Sequence, residues 1–334
     1  DSEPLIRART LDILGRIKSS VALATILDGT RDPHPLVRAS AASNLKSWDN
    51  PDSLHALISL LRDRDLQVRL SALQSLGTLR AISAVSNIIE QISAIQTEQV
   101  VVEKGIDALG AIGSRPALDT IVLFLRHSSD GIRWSAINSI GKIGDPLYAH
   151  HLIPFLREDQ PSHIRQVAIQ SLTRLRSLDP EEEIKRILLH SEQDRALRLE
   201  AAKYFAAVGG AETVDTLLFP LMTTVEDPEI RQTLWSAILA SAGNTIASLA
   251  TLAERIAPRR MAREAEELLE SACRIDRPAA VREIGKKLAS PMIAFVKDAS
   301  APIREKQSGI AVLNRIFGTN YSIEELTKAV ADWT

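Results

Sequence analysis

Cysteine is almost absent: Cys273 stands alone in 334 residues. No intrachain disulfide can form, and redox logic leaves the compartment open between a bacterial cytoplasm and a periplasm. Aromatic residues are only 4% of the chain, which leaves Leu, Ile, Val and Ala to fill thin layers between helices. The formal charge is −2, without the basic excess of a dedicated nucleic-acid binder. No apolar run approaches the roughly 20 residues that cross a bilayer as a helix. There is no Gly-x-Ser-x-Gly elbow, no Gly-x-Gly-x-x-Gly or Walker context, and no motif around Cys273, which is expected as a small core residue. The chain opens at Asp1, without Met and inside a repeat-like unit. The expectation is that a signal peptide, a neighbouring domain or a trimmed segment once preceded it.

What the chain does have is repetition. Its clearest copy is 131–161, GIRWSAINSIGKIGDPLYAHHLIPFLREDQP. The residue at Arg133 recurs as Arg7, Arg38, Arg69, Glu103, Arg165, Arg198 and Arg231, in steps of 31, 31, 34, 30, 32, 33 and 33 residues. A looser copy sits at Arg304. Each anchor lies in an apolar stripe at helical spacing, and Gly15, Gly113, Gly144 and Gly209 read as helix stops just past it. A second amphipathic helix follows: Leu54, Leu57, Ile58 and Leu61 in one repeat, Ala149, Leu152, Ile153 and Leu156 in another. One such hairpin cannot bury its own apolar face, so neighbours must stack.

The strings LVRASAASNL, QVRLSALQSLGTL and GIRWSAINSIGKIG, with an L-x-x-L-L ending and an acidic turn, resemble HEAT repeats of the short bacterial PBS-lyase HEAT-like subtype. The resemblance is close over 1–243 and loose over 301–333. The expected fold is all-α, a right-handed α-solenoid of stacked antiparallel helix pairs with about nine units. Residues 1–243 would form regular repeats, and 244–334 would form less regular repeats and a C-terminal cap, in one continuous solenoid. Helices are expected over 260–275 and 279–297, the second interrupted by Pro291. Ser322 and Glu325 form a capping-box signature before a last helix that ends at Trp333.

Two columns of charge run through the repeats. Acids shortly before the anchors (Asp32, Asp65, Asp130, Asp194, Asp227) are expected to bind anchor arginines and helix N-terminal amides between stacked units. Glu103 breaks that ladder, implying a kink or a contact with Lys104. The second column is Arg31, Arg62, Arg126 and Arg157, one near the end of each of four second helices. In HEAT-like arrays second helices line the concave surface, so the resemblance places this column along an inner groove beside Asp28, His55, Ser59, Asp119, Thr120, His150 and His151. Two readings stand: arginines that complement a helix C-terminus and face water, or a surface that grips a polar or acidic partner. The named partner-binding residues are Arg31, His55, Ser59, Arg62, Asp119, Arg126, His150, His151 and Arg157.

His150 and His151 are adjacent, point in different directions on a helix, and so cannot easily share an ion. No metal and no cofactor are expected. The absent His-Glu dipeptide removes the HEAT-like di-iron hydroxylases. Gly-x-x-Gly at 110–113 and 141–144 reads as turns. The cations Arg255, Arg259, Arg260, Arg263, Arg282, Lys286 and Lys287 are interleaved with acids and read as a solvated face. Trp48, Trp134, Trp235 and Tyr148 serve either as surface anchors or as packing between units.

The leading expectation is a non-catalytic scaffold that binds a protein partner through its groove or edge loops. The resemblance also implies an alternative, a bilin-lyase-like subunit that attaches chromophores to antenna proteins. A weakly nucleic-acid-binding HEAT-like protein is the third possibility, and nucleic acid is disfavoured by the charge.

Overall fold

The computed structural model describes residues 3–17, 19–94, 96–208, 217–242, 245–257, 261–320, 322 and 325. Gly209, Arg259, Arg260 and the helix expected to end at Trp333 lie outside the described residues. Two compact bodies divide the chain, Asp1–Tyr204 and Phe205–Thr334. No strand occurs among the described residues.

In the first body one column of helices is α1 (Pro4–Ile17), α3 (Pro35–Leu45), α5 (Leu66–Thr78), α7 (Gln99–Ile112), α9 (Asp130–Ile143) and α10 (Ser162–Leu175), each packed on the next. The second members of the pairs are α2 (Ser20–Gly29), α4 (Pro51–Leu60), α6 (Val85–Ser93), α8 (Leu118–Leu123) and α11 (Glu181–Leu189). The body ends within α12 (Arg195–Val208).

Starts and stops follow from short-range chemistry. Asn50 accepts from the Ser53 N–H (2.9 Å) and Asp65 from the Val68 N–H (3.3 Å), occupying amide donors that a helix start leaves without carbonyl partners. Gly113 and Gly144 end α7 and α9 at φ 77° and 79°, a left-handed conformation that costs glycine little. Gly15 is different: it lies buried inside α1, and a Cβ there would come within 2.0 Å of the Asn44 side chain. It is a contact point between helices, not a stop.

The expected stripes are the core. Leu57, Leu61, Leu152 and Leu156 are buried, and Leu54 and Ile153 half-buried. Burying each fully enclosed leucine contributes about 1.5–3 kcal/mol. Between repeats the first helices approach closely. Ser75 Oγ donates to the Ala42 carbonyl at 2.7 Å, and Ser139 Oγ to the Ile106 carbonyl at 3.0 Å. A Cβ on Gly110 would lie 2.4 Å from Ser139 Oγ, and one on Gly141 would lie 2.6 Å from Ser171 Cβ. The Gly-x-x-Gly strings are therefore not simple turns. The first glycine of each admits the next helix, and the second ends its own.

The second helix of the fifth repeat departs from expectation. Residues 146–151 and 153–156 are two 3-10 turns in place of one amphipathic α-helix. Pro154 lacks an N–H, and its ring would clash with the carbonyl four residues back in an α-helix. Tighter bonds result, Leu152 N–H to the Ala149 carbonyl (2.9 Å) and Phe155 N–H to the Leu152 carbonyl (3.1 Å).

The second body contains α13 (Phe219–Thr224), α14 (Pro228–Ser241), α15 (Ile246–Ile256), α16 (Ala262–Ala280), α17 (Lys286–Lys297) and α18 (Ile303–Phe317). Inside α16, Asp276 leaves helical geometry, and its Oδ1 accepts from the Ala279 N–H at 3.1 Å, which restarts the helix as expected from the sequence. A π-helical turn, Val281–Gly285, leads into α17, and Pro291 does not interrupt that helix. Trp235 is fully buried, whereas Trp134 remains exposed. Cys273 is half-buried. Ser322 and Glu325 exchange the two capping-box hydrogen bonds, at 2.8 and 3.3 Å.

Candidate functional site

The anchor arginines join consecutive repeats. Arg7 grips Asp32 through two hydrogen bonds (2.8 and 2.9 Å), and Arg38 grips Asp63 in the same way (2.7 and 2.8 Å). Arg69 reaches Glu98, Arg133 reaches Asp130 in its own helix, and Arg231 reaches Glu264 at 3.2 Å. The same guanidiniums donate backwards to carbonyls that end the preceding hairpin: Arg38 to Asp32 and Pro33, Arg69 to Asp63, Arg133 to His127. Arg38 and Arg69 thus satisfy carbonyls behind them and a carboxylate ahead, whereas Arg133 turns to an acid at the start of its own helix. The expected ladder is present, with several acids reassigned. Asp65 and Asp227 accept from helix N-terminal amides, and Asp194 accepts from the Ala196 N–H (2.9 Å) and Ser162 Oγ (3.3 Å). Glu103, where an arginine is missing, lies over Gly131 at the start of α9, while Lys104 pairs with Asp107 at 3.8 Å.

Ladder contacts shift the carboxyl groups. The Arg7 hydrogen bonds hold Asp32 below its ordinary range, against the opposing effect of burial. At Asp63 burial is the largest influence and acts upward, but Arg38 and the Asp65 N–H outweigh it and the net shift is downward. A carboxyl with a depressed folded value contributes stability above its unfolded value, about 3.9, and loses it as pH falls through the folded value. Urea stability should therefore fall steeply as pH drops below about 4, and Asp63→Asn should flatten that slope. An unaltered slope in the variant would remove Asp63 from the acid response.

The second arginine column does not converge into one site. Arg31 is exposed, and Arg62 is held by Glu90 of the next repeat at 2.7 and 2.9 Å. Arg157 lies 3.8 Å from Asp159. His55 and Ser59 are exposed, and Ser59 Oγ donates to the Ala56 carbonyl at 2.7 Å.

Repeats four and five do gather a group. Tyr148 Oη donates to Asp119 at 2.6 Å, which raises the phenol pKa, and the His150 Nδ1–H donates to the Leu147 carbonyl at 2.8 Å. The rings of His150 and His151 have centroids 3.9 Å apart and are tilted by 39°, and Tyr148 lies 5.8 Å from His151. The expected divergence of the two histidines is not seen in their rings, although successive residues of a 3-10 turn leave the backbone about 120° apart, so side-chain rotation brings the rings together. Burial, then the charges of His150 and Arg126, lower the His151 pKa, opposed by Asp119. Among the described residues no group of three or more His, Cys, Asp or Glu is placed to hold a metal ion.

A larger feature lies beside the 3-10 turns, a cavity of about 830 Å³ between repeats five and six. Ile153, Pro154, Leu156, Ile187 and Leu189 give it apolar walls. Arg157, Arg165, Lys185, Arg186 and His190 bring positive or titratable groups, and Glu158, Glu182 and Glu183 bring negative ones. Lys185 is already near Glu182, at 3.7 Å. Arg165, 6% exposed, departs from the ladder: its Nη1 donates to the neutral Gln193 Oε1 at 2.7 Å and its Nε to the Leu156 carbonyl at 3.1 Å. Burial draws the Arg165 pKa down, partly offset by Glu158, whereas hydrogen bonds to aspartate raise Arg7 and Arg38. Of this group the sequence reading singled out Arg157 as a site residue. No fixed spacing marks Gln193: it lies 28 residues after Arg165, whereas the acids lie 25 after Arg7 and Arg38 and 29 after Arg69.

Of the basic residues near 255–287, Arg263 pairs with Glu267 (3.6 Å), Arg282 with Glu283 (3.1 Å) and Lys287 with Glu254. That is a solvated, paired face. No helix among the described residues is long and apolar enough to cross a membrane.

Stacked helix pairs joined by an arginine ladder define an α-solenoid repeat protein. The HEAT-repeat model matches residues 1–77, 23–101 and 85–173, and the chain belongs to the HEAT-repeat family. Among its relatives is phycocyanobilin lyase subunit alpha of Synechococcus elongatus, 28% identical over 172 residues, covering 43% of this chain and 59% of that protein. The chain thus matches less than two thirds of that relative's length. Importin beta has a TM-score of 0.51 at 13% identity, over 95% of this chain and 50% of that one, and supports the fold. The complex of CpcE and CpcF of phycocyanin lyase from Nostoc sp. PCC7120 has a TM-score of 0.41 at 22% identity, over 72% and 90%. The expectation of a non-catalytic chain is overturned by the first relative, which is a lyase subunit. A repeat array without a recognisable catalytic motif can belong to an enzyme whose chemistry is shared between chains.

Proposed function

We propose that the chain acts as a subunit of a bilin-lyase-type assembly, an α-solenoid that holds a linear tetrapyrrole while a protein partner docks on its second-helix face. The observation that carries this reading is the relatedness to phycocyanobilin lyase subunit alpha. The cavity beside the 3-10 turns, with apolar walls and a cationic rim, has the size range of small-molecule sites, roughly 300–1,000 Å³. A flat apolar ligand with acidic substituents is compatible with both features.

The chromophore half is tested by titrating the purified chain with phycocyanobilin. A saturable red shift with enhanced fluorescence is expected, and an unchanged spectrum would sink the reading. The partner half concerns Arg31, His55, Ser59, Arg62, Asp119, Arg126, His150, His151 and Arg157. Joint replacement of Arg31, Arg126 and Arg157 by serine should weaken retention of an immobilised apo-antenna protein about tenfold or more, since hydrogen bonds to charged groups contribute about 1.5–3 kcal/mol each. Arg62→Ser is the control, because Glu90 already occupies that guanidinium. Equal retention by the triple variant and the native chain would retire the column.

A further inference from the structure

The ladder is complete at most anchors and altered beside the cavity of about 830 Å³. Arg7, Arg38, Arg69, Arg133 and Arg231 each meet a carboxylate. Arg165 meets an amide, although it is as buried as Arg38, 6% against 7% exposed. A buried guanidinium without a counter-charge is costly; Arg198, which also meets no carboxylate among the described residues, is only half-buried and donates to the Leu188 carbonyl at 3.0 Å. Asp194 follows Gln193 directly but is turned to the start of α12 and to Ser162. Glu158 touches the Gln193 amide at 3.5 Å and acts on Arg165 only through space. The vacant ladder position opens on the cavity, since Arg165 and Gln193 both line it.

The same cavity is lined by Arg186, which is exposed and has no carboxylate partner among the described residues, and by Arg157, which has only Asp159 at 3.8 Å. Ile153, Ile187 and Leu189 line it as well.

We propose that this cavity binds an amphipathic molecule with two carboxylates, one completing the ladder at Arg165 and the other held by Arg186 and Arg157, with its apolar body on Ile153, Ile187 and Leu189. The ligand's carboxylate does for Arg165 what Asp63 does for Arg38. Glu158, Glu182 and Glu183 exclude a polyanion, because they leave room for two negative charges and repel more. Equating the ligand with a linear tetrapyrrole rests on the proposed function; the dicarboxylate site does not.

The test uses three probes with the whole chain: biliverdin, its dimethyl ester and hexadecanedioate, with affinities read by fluorescence titration or calorimetry. Both free diacids should bind, and the ester should bind about tenfold or more weakly. Gln193→Glu places the missing acid inside the protein. It should lower affinity for both diacids by about tenfold or more while keeping or raising Tm, so lost binding cannot be ascribed to lost fold. Arg186→Gln, on the exposed rim, should weaken the diacids and leave the ester unaffected. Equal binding of diacids by the native chain and both variants would overturn the site while leaving a bilin-handling function intact. Failure of both diacids to bind would overturn it outright. Binding of hexadecanedioate but not biliverdin, abolished by Gln193→Glu, would uphold the site and remove the tetrapyrrole.

Discussion

Leu152→Asp should remove most of the stability of the first body. Leu152 is completely buried at the junction of the two 3-10 turns, and its N–H is already bonded to the Ala149 carbonyl. Truncating a buried leucine costs about 2–5 kcal/mol. A carboxylate without a partner adds several kcal/mol more, or takes up a proton at a raised pKa. The sum is comparable to the whole stability of a typical domain, about 5–15 kcal/mol. Far-UV circular dichroism against temperature should show a transition that is lost or greatly lowered. Leu152→Ala should show the smaller, cavity-sized loss. A native-like melting curve for the aspartate variant would take Leu152 out of the core.

Arg38→Gln is the second large effect, and its physics is different. The guanidinium and the Asp63 carboxylate have side chains only 8% and 10% exposed, so salt screening is weak. Removing one partner strands the other, which typically costs about 3–5 kcal/mol. The Asp32 and Pro33 carbonyls lose their donor as well. Replacing both partners by apolar residues of similar volume should cost clearly less than Arg38→Gln alone, because no buried charge is left unpaired. A double-mutant cycle in urea measures the difference. If the single and double replacements were equally damaging, the arginine would act by packing its stem and not by its charge.

The repeat, its stripes and the ladder were legible because each depends on residues a fixed number of positions apart. Leu57 and Leu61 had to be inside if 54–61 was helical, and Asp32 had to lie near Arg7 once hairpins stacked. The exceptions have local causes that periodicity does not register. Pro154 turns a helix into two 3-10 turns, and beside it the rings of His150 and His151 lie close at a 39° tilt. Gly15 resembles a helix stop in sequence, yet its task is to admit the Asn44 side chain. The cavity was illegible for another reason. Its signal is a neutral partner, Gln193, at a guanidinium, and that acquires meaning only when Arg165 is seen buried beside it. The enzymatic question lay further out of reach, because the likeness to a lyase subunit rests on relatedness over 172 residues and not on any catalytic motif within the repeats.

The glycine–serine seams have a consequence for how such a chain changes length. Ser139 sits on Gly110 and Ser171 sits on Gly141 with nearly the same spacing, 2.4 and 2.6 Å from the absent Cβ to the nearest serine atom. The two joints are interchangeable parts. Excising the module between them would bring Ser171 onto Gly110 and close the array with a matched joint, whereas a cut of any other length would set a side chain against a backbone that has no room for it. Growth and shrinkage of the chain are thereby quantised in whole modules.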